Sequence, residues 1–146
     1  MKITRGRVDV EKWVVCQFPD LILSDTNLIK NSVFSNNIAD YGGAIYIETT
    51  GQTEISGCVI EKNGNINGMT AKEGGGVYAS GDVAIRDCDI LENEVMDMFK
   101  ASYGAGLRIA DGVFVDNCSI ALNLCFGSTF VSDPQGGGGI YGEGNV

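Results

Sequence analysis

The chain has 146 residues, including 21 glycines and no histidine, and its formal net charge at pH 7 is −9. This length fits one domain, and the hydrophobic fraction of 44% supplies enough apolar surface for a folded core. The negative charge argues against nucleic acids and anionic membranes as partners, and the lack of histidine excludes imidazole-based catalytic triads and zinc sites that use imidazole.

Residues 1–27 precede a regular repeat and do not share its pattern. Their apolar residues are Trp13, Val14, Val15, Phe18, Leu21, Ile22 and Leu23. We expect this segment to form an N-terminal cap or an imperfect first rung, and residues 28–146 to form the repeats. It lacks the apolar core of a signal peptide, and no run in the chain approaches the ~20 apolar residues of a membrane span. The sequence therefore predicts no membrane insertion by this segment and does not indicate a compartment.

Two short motifs alternate along the repeats. The first places small residues before an apolar one, and its copies begin 32, 30 and 33 residues apart, at Gly42, Gly74, Gly104 and Gly137. The second has starts 26, 30 and 30 residues apart, at Ser32, Cys58, Cys88 and Cys118. It ends in Asn37, Asn63, Asn93 and Asn123. Because both motifs keep one register, they indicate a repeat protein with a period of about 30 residues.

The period inside each copy is two residues, which is typical of strands. Ile45 and Ile47 are expected to point to one side and Tyr46 to the other. Glycine, asparagine and aspartate separate these short runs, as turns require. The sequence therefore predicts an all-β solenoid of parallel strands, with about four rungs stacked ~4.8 Å apart.

Equivalent residues of successive rungs are expected to stack into columns. The predicted inner apolar columns are Ile29/Ile55/Ile85/Val115, Phe34/Ile60/Ile90/Ile120 and Ile45/Val77/Leu107/Ile140. The predicted structural ladders are Ser32/Cys58/Cys88/Cys118 and, at a corner, Asn37/Asn63/Asn93/Asn123.

The two ladders carry different chemistry. Asparagine amides can bond the next rung's amide and the turn backbone, and asparagine tolerates the left-handed backbone that a sharp corner needs. The cysteines are interpreted as small buried side chains. One disulfide between neighbouring rungs is an alternative, whereas a linear column does not offer a tetrahedral metal site.

The paired motifs resemble the GGA-aliphatic and FxxN repeats of the polymorphic outer-membrane protein family of bacterial autotransporters. Gly42-Gly43-Ala44-Ile45 and Phe34-Ser35-Asn36-Asn37 match both motifs in full, whereas later copies have Ile in place of Phe and Gly in place of Ala. The resemblance covers about residues 28–141. It implies a right-handed parallel β-helix, a role in adhesion, and an extracellular or cell-surface location.

An outward column is the first candidate for binding a partner. Its residues are Tyr46, Tyr78, Arg108 and Tyr141. It would form either a solvent-exposed stack that covers the sheet or a surface that contacts a glycan or a protein. Arg108 could lie between two tyrosine rings by cation–π contact.

A group of loops is the second candidate. The segments Gly64–Glu73, Glu94–Tyr103 and Leu124–Gly136 are expected to leave the same corner and to project together. Their apolar residues would pack on the solenoid or form an interface with a protein partner. They include Val95, Met98, Phe99, Phe126 and Phe130.

Acidic residues are the only candidates for catalysis. Right-handed β-helices include pectate lyases and polygalacturonases, which use surface carboxylates with Ca²⁺ or a basic residue. Asp87, Asp89 and Asp116 are expected to lie close together, but Arg86 and Arg108 lack the flanking pattern of those enzymes. We therefore expect no catalysis and no cofactor, and a polysaccharide lyase or hydrolase with Ca²⁺ is the alternative.

The last repeat stops just after its first strand, with no capping segment in view. An uncapped solenoid exposes its core and its strand edges. We expect Val146 to be followed by further chain or to abut another subunit. The sequence thus predicts a non-catalytic scaffold for adhesion, assembly, or glycan or protein binding, with a subunit that associates end to end in a filament as the alternative.

Overall fold

The computed structural model describes residues 2–4, 27–66, 69–97, 102–126 and 136–144. The regular elements in these ranges are β-strands. They are β1 (Lys2–Thr4), β2 (Asn27–Lys30), β3 (Val33–Ser35), β4 (Ile45–Ser56), β5 (Val59–Glu61), β6 (Asn65–Ile66), β7 (Met69–Thr70), β8 (Val77–Arg86), β9 (Asp89–Leu91), β10 (Glu94–Met96), β11 (Leu107–Ile109), β12 (Val113–Asp116), β13 (Ser119–Ala121), β14 (Leu124–Phe126) and β15 (Ile140–Gly142). None of these ranges contains a helix that is long and apolar enough to cross a membrane.

The strands stack into sheets that run along the axis of a solenoid. The first sheet contains β1, β3, β5, β9 and β13 in that order. The second contains β2, β4, β8, β11 and β15, with β12 also paired to β8. A third, shorter stack pairs β10 with β14. All these pairings are parallel, and β6 and β7 form a small antiparallel hairpin. The predicted parallel β-solenoid is confirmed, with about three turns.

The predicted apolar columns form the core. Ile55 lies opposite Ile85 in the strand register, and Val77 lies opposite Leu107. The core side chains with no solvent-exposed surface include Ile45, Ile55, Ile60, Val77, Ile85, Ile90 and Leu107. Burying one such side chain contributes roughly 1.5–3 kcal/mol. Burial decreases in the last described turn, where Ile140 is 44% exposed.

Residues with a left-handed backbone make two of the corners. They are Asn31, Gly57, Asp87 and Asn117 at one corner and Asn36, Lys62, Glu92 and Leu122 at the other. Each member of the second set directly precedes an asparagine of the ladder. The prediction that the ladder asparagines themselves adopt the left-handed backbone is therefore wrong. The preceding residue makes the turn, and the asparagine that follows is free to place its amide inside the corner.

Hydrogen bonds link the asparagine ladder from turn to turn. Asn63 Nδ2 donates to Phe34 O and to Asn93 Oδ1, both at 3.0 Å, and the Asn63 backbone N–H donates to the same oxygen at 3.0 Å. Asn93 makes the equivalent bonds to Ile60 O and Asn123 Oδ1 at 2.9 Å. Asn63 and Asn93 are fully buried, and no buried side-chain nitrogen or oxygen in the described part of the chain lacks a partner.

The glycine-rich motif packs against this ladder. A Cβ atom at Gly76 would lie 2.6 Å from Gly106 O and 3.1 Å from Asn93 Nδ2. One at Gly106 would lie 2.5 Å from Gly139 O and 2.8 Å from Asn123 Nδ2. Glycine is therefore required at these two positions, because a side chain there would separate adjoining turns or displace the ladder amide.

The segments predicted as corner loops begin as strands. Glu94–Met96 and Leu124–Phe126 form the third stack, and Val95 has no exposed surface. Ala71 and Ala105 are also fully buried and form a small core cluster with Val95. The expectation that the loops project from their first residues is therefore wrong. Alternation along β10 turns Val95 inward, so it belongs to the core and not to an interface.

The N-terminal strand adds to the first sheet. β1 pairs in parallel with β3, with the backbone of Ile3 opposite Phe34. This places β1 one rung before β3. The boundary between residues 1–27 and the repeats stays a prediction.

Candidate functional site

The outward column lies along the second sheet. Tyr46 pairs with Tyr78 in the strand register, Tyr78 with Arg108, and Arg108 with Tyr141. In β4, the neighbours of Tyr46 on both sides are fully buried. Because strand residues alternate between faces, the column stands on the outer face of the sheet.

A second column, absent from the predicted set, runs beside the first. Its residues, Tyr41, Glu73, Tyr103 and Gly136, are joined by parallel bridges. Each stands directly before the first glycine of a glycine-rich motif. This constant position was a signal in the sequence, but the residue type changes from turn to turn.

The two columns contact each other diagonally, one turn apart. The contacts are Tyr41 with Tyr78, Glu73 with Arg108, and Tyr103 with Tyr141. The first is edge to face, with ring centroids 6.2 Å apart, and the third is tilted, with centroids 4.5 Å apart. An ion pair thus takes the place that a tyrosine pair takes in the neighbouring turns. We call this surface the tyrosine strip: Tyr41, Tyr46, Glu48, Glu73, Tyr78, Tyr103, Arg108, Tyr141 and Glu143.

Arg108 is buried at the centre of the strip, with 7% of its surface exposed. Its Nε donates to Glu73 Oε2 at 3.2 Å, and its Nη2 lies 2.8 Å from Glu143 Oε2. Its Nη1 donates to Ile109 O at 3.0 Å. All three guanidinium nitrogens therefore have partners within the chain, which compensates for the burial of the charge.

Aromatic rings cover both sides of this guanidinium. Its Cζ lies 5.6 Å from the ring centroid of Tyr78 and 5.0 Å from that of Tyr141. In the preceding turn, the ring of Tyr46 stacks on Tyr78 with centroids 4.9 Å apart and 17° between the planes. The rings are half-buried, unlike the solvent-exposed stack that is one interpretation of the sequence. Since their faces cover one another, ring edges, hydroxyls and carboxylates face outward.

The strip carries more negative than positive charge. Glu48, Glu73 and Glu143 contribute three carboxylates and Arg108 one guanidinium, which leaves a net charge of −2 (1 − 3). Glu48 is exposed, and the side chain of Glu143 is 56% exposed. The outward carboxylates therefore stand at the two ends of the strip.

Three tyrosines of the strip remain neutral beyond the ordinary range. Burial, together with the hydrogen bond to Glu48 and its charge, raises the pKa of Tyr46 far above its usual value of about 10. Burial also raises the pKa of Tyr78. At Tyr141, burial and the hydrogen bond from its hydroxyl to Glu143 Oε1, at 3.2 Å, raise the pKa. Neutral phenols both donate and accept, so the strip offers hydrogen-bonding groups.

Gly136 leaves room for one of the aromatic contacts. A Cβ atom there would lie 2.5 Å and 2.7 Å from two ring carbons of Tyr141 and 3.4 Å from Tyr103. The glycine in the second column therefore lets these two rings approach.

The cysteine ladder lies inside the turns. Cys58 Sγ is 3.6 Å from Ile29 O, Cys88 Sγ is 3.7 Å from Ile55 O, and Cys118 makes the equivalent contact. All three are free thiols, and the first two are buried. The hydrogen bond with the Cys58 thiol and burial raise the pKa of Cys88. A protonated thiol packed against carbonyl oxygens behaves as a small core residue.

The loop residues are described only in part. Phe126 lies in β14 and is 44% exposed. Met98, Phe99 and Phe130 lie outside the described residues. Their place in a binding surface stays a prediction.

The acidic residues considered for catalysis have polar partners. Asn117 Nδ2 donates to Asp87 Oδ1 at 2.6 Å, and Arg86 Nη1 donates to Asp116 Oδ2 at 3.1 Å. Asp89 is exposed. Within the described ranges, no group of three or more cysteine, aspartate or glutamate side chains could hold a metal ion.

The comparison with known proteins gives one result. A family model described as the right-handed beta helix region matches residues 17–146. Searches of curated proteins and of solved structures found no significant match. The matched range includes every described strand from β2 onward.

Proposed function

Because the chain belongs to the right-handed β-helix family, we propose that it is a non-catalytic scaffold whose tyrosine strip binds a partner molecule. The proposed role is adhesion or assembly, in keeping with the resemblance to the polymorphic outer-membrane repeats. Extracellular or cell-surface placement is part of the same proposal. No cofactor is assigned to this role.

One observation carries the proposal: the paired columns of the strip. Tyrosine and arginine are the side chains enriched where binding energy concentrates at interfaces. Here contacts with neighbouring turns already fix them, at 4.9 Å between Tyr46 and Tyr78 and at 3.2 Å between Arg108 and Glu73. A preorganised surface loses little side-chain entropy on binding, which favours affinity.

The arrangement favours contacts to ring edges and polar groups. Since the faces of the central rings are covered, a glycan or polypeptide on the strip would bond the tyrosine hydroxyls and the outward carboxylates. Tyr41, which is 46% exposed, adds apolar surface at the margin. A ligand that spans several turns would contact the same face of each.

The experiment screens the full chain against immobilised oligosaccharides and peptides, with neutral, acidic and basic members of each class. The variants are Tyr46→Ala and Tyr141→Ala. The control is Phe114→Ala, since Phe114 is an aromatic side chain on the same sheet that is 52% exposed and outside the strip. We expect at least one ligand whose binding falls in both tyrosine variants and persists in the control. A panel with no such ligand would contradict the proposal.

Exposed apolar residues of the last described turn favour a second candidate function, self-association in an assembly. They are Leu122, Leu124, Phe126 and Ile140, which are 73%, 44–47% and 44% exposed in this order of groups. We propose that this face contacts a second copy. The molar mass of the chain should rise with concentration and remain monomeric in Leu122→Asn with Leu124→Asn. A monomeric wild type at all concentrations would sink this candidate.

A further inference from the structure

We propose that the occupant of the tyrosine strip is an arginine-bearing polypeptide segment, held at the pair formed by Tyr46 and Glu48. This inference rests on the proposed binding function of the strip and names the chemistry of its partner. The two residues stand at one end of the strip, two positions apart on the same face of β4.

The charge of the strip selects against anionic ligands. Its one cation, Arg108, is 7% exposed and has partners at Nε, Nη1 and Nη2, so it has no free donor to offer an anion. Lys72, which is next to Glu73 in the chain, is paired with Asp40 at 2.7 Å. With a net charge of −2 on the strip and −9 on the chain, charge complementarity favours a cationic partner.

Arg108 is an internal example of the recognition that we propose. At one end of the strip, Tyr141 and Glu143 form a tyrosine–glutamate pair joined by a hydrogen bond of 3.2 Å. Arg108 binds both members, with its Cζ 5.0 Å from the ring and its Nη2 2.8 Å from the carboxylate. The pair thus combines a ring for cation–π contact with an oxygen for a charged hydrogen bond.

The same pair recurs at the other end of the strip. Tyr46-Ile47-Glu48 matches Tyr141-Gly142-Glu143 in spacing, and the Tyr46 hydroxyl is also bonded to its glutamate. The two pairs lie three turns apart, or ~14 Å at the usual strand spacing. The two intervening turns have Ser80 and Ala110 where the end turns have glutamate. A partner's guanidinium would bind at Tyr46 and Glu48 as Arg108 binds at Tyr141 and Glu143.

Arginine fits this pair better than lysine does. Its planar guanidinium can lie against a ring while its donors reach a carboxylate, which is the geometry of Arg108, whereas a lysine ammonium is a compact and strongly hydrated charge. The test therefore uses hexa-arginine, hexa-lysine and hexa-citrulline peptides, the last of which keeps the shape of arginine without its charge. A chitosan oligosaccharide serves as a cationic glycan and a neutral chito-oligosaccharide as an uncharged one.

Binding is measured by calorimetry for the full chain and for Glu48→Gln, Tyr46→Ala and a charge-matched control. The control is Glu92→Gln, an exposed corner residue that is outside the strip. Hexa-arginine should bind more tightly than hexa-lysine, and hexa-citrulline should not bind. Glu48→Gln should weaken hexa-arginine about fivefold, the order of one exposed charged or cation–π contact, whereas Glu92→Gln should change it less than twofold.

Each other result overturns the inference. Equal effects of Glu48→Gln and Glu92→Gln would mean that the peptide responds only to overall charge. A chitosan oligosaccharide that depends on Glu48, without binding of hexa-arginine, would make the occupant an amino-sugar chain. Binding of the neutral sugar that depends on Tyr46 but not on Glu48 would overturn the cationic partner and keep the proposed function. Loss of Tyr46 dependence for every ligand would remove both.

Discussion

The asparagine ladder and the tyrosine strip both run along the axis of the solenoid, but they solve the stacking of turns differently. The ladder uses one residue type in each copy, and Asn63 and Asn93 make the same set of bonds. The strip changes its residues from turn to turn, yet the change at Glu73 is matched by the change at Arg108. Inside a corner, one geometry satisfies the buried amides. On the outer face, pairs can change together, and a surface with its own specificity results.

The largest effect is expected inside the ladder, from Asn63→Ala. Asn63 Oδ1 accepts from the backbone N–H and Nδ2 of Asn37, both at 3.0 Å, and its own Nδ2 serves Phe34 O. The substitution leaves several polar groups without partners in a site with no solvent exposure. We expect the free energy of unfolding to fall by about 3–5 kcal/mol, measured by urea denaturation.

The control for this variant is Asn36→Ala, one position earlier on the exposed side of the corner. Asn36 has a φ of 57°, so its replacement carries only the local backbone cost of a left-handed alanine, about 1 kcal/mol. If the two variants lost equal stability, the ladder would not be the source of the effect.

The next largest effect is expected at the centre of the strip. Arg108→Met removes the cation between two rings and leaves the Glu73 carboxylate, which is 24% exposed, without its partner. We expect a loss of about 2–3 kcal/mol in the free energy of unfolding, measured by the same denaturation. This is less than for the ladder because Glu143 can return to water.

A double variant sharpens this comparison. Glu73→Tyr with Arg108→Tyr would place a tyrosine pair on the diagonal that now holds the ion pair, as in the turns on either side. We expect it to recover at least half of the stability lost in Arg108→Met. A double variant less stable than the single one would show that the tyrosine pairs and the ion pair are not interchangeable solutions.

The core and the ladder could be predicted from the sequence because the pattern there is a constant residue type at a constant spacing. The apolar period of two and the repeated asparagine are direct consequences of burial in successive turns. The third stack was assigned to loops, since Val95 stands alone between Glu94 and Met96 and gives too short an alternation to indicate a strand.

The second column of the strip could not be predicted from residue type. Tyr41 and Glu73 occupy one structural position, and what relates them is a diagonal partner about 30 residues further along the chain. The left-handed corner was hidden for a similar reason. Lys62 and Glu92 adopt a conformation that is usually associated with asparagine or glycine, so their identity gives no sign of it.

Alkaline pH tests whether the strip is a protected stack. The raised pKa of Tyr46 means that the folded state favours the neutral phenol, so its contribution is complete below the unfolded value of about 10 and is lost as pH rises toward the folded value. The stability of the wild type relative to Tyr46→Phe should fall by about 1 kcal/mol over the first pH unit above 10. Thermal unfolding across this range measures it. Parallel pH profiles for the two proteins would place the hydroxyl in water.

The smallest effect is expected at Arg86, the exposed counterpart of Arg108 on the same sheet. Arg86 also has a ring and a carboxylate, with its Cζ 4.8 Å from the centroid of Phe114 and its Nη1 3.1 Å from Asp116 Oδ2. Its side chain is 41% exposed and that of Asp116 is 55% exposed, so water screens the pair and replaces it when it is lost. Arg86→Met should lower the free energy of unfolding by less than about 0.5 kcal/mol. The same chemistry with the same substitution then differs from Arg108 only in burial. A loss at Arg86 equal to that at Arg108 would mean that the two carboxylates and two rings around Arg108 add nothing, and the distinction between an exposed pair and the centre of the strip would fail.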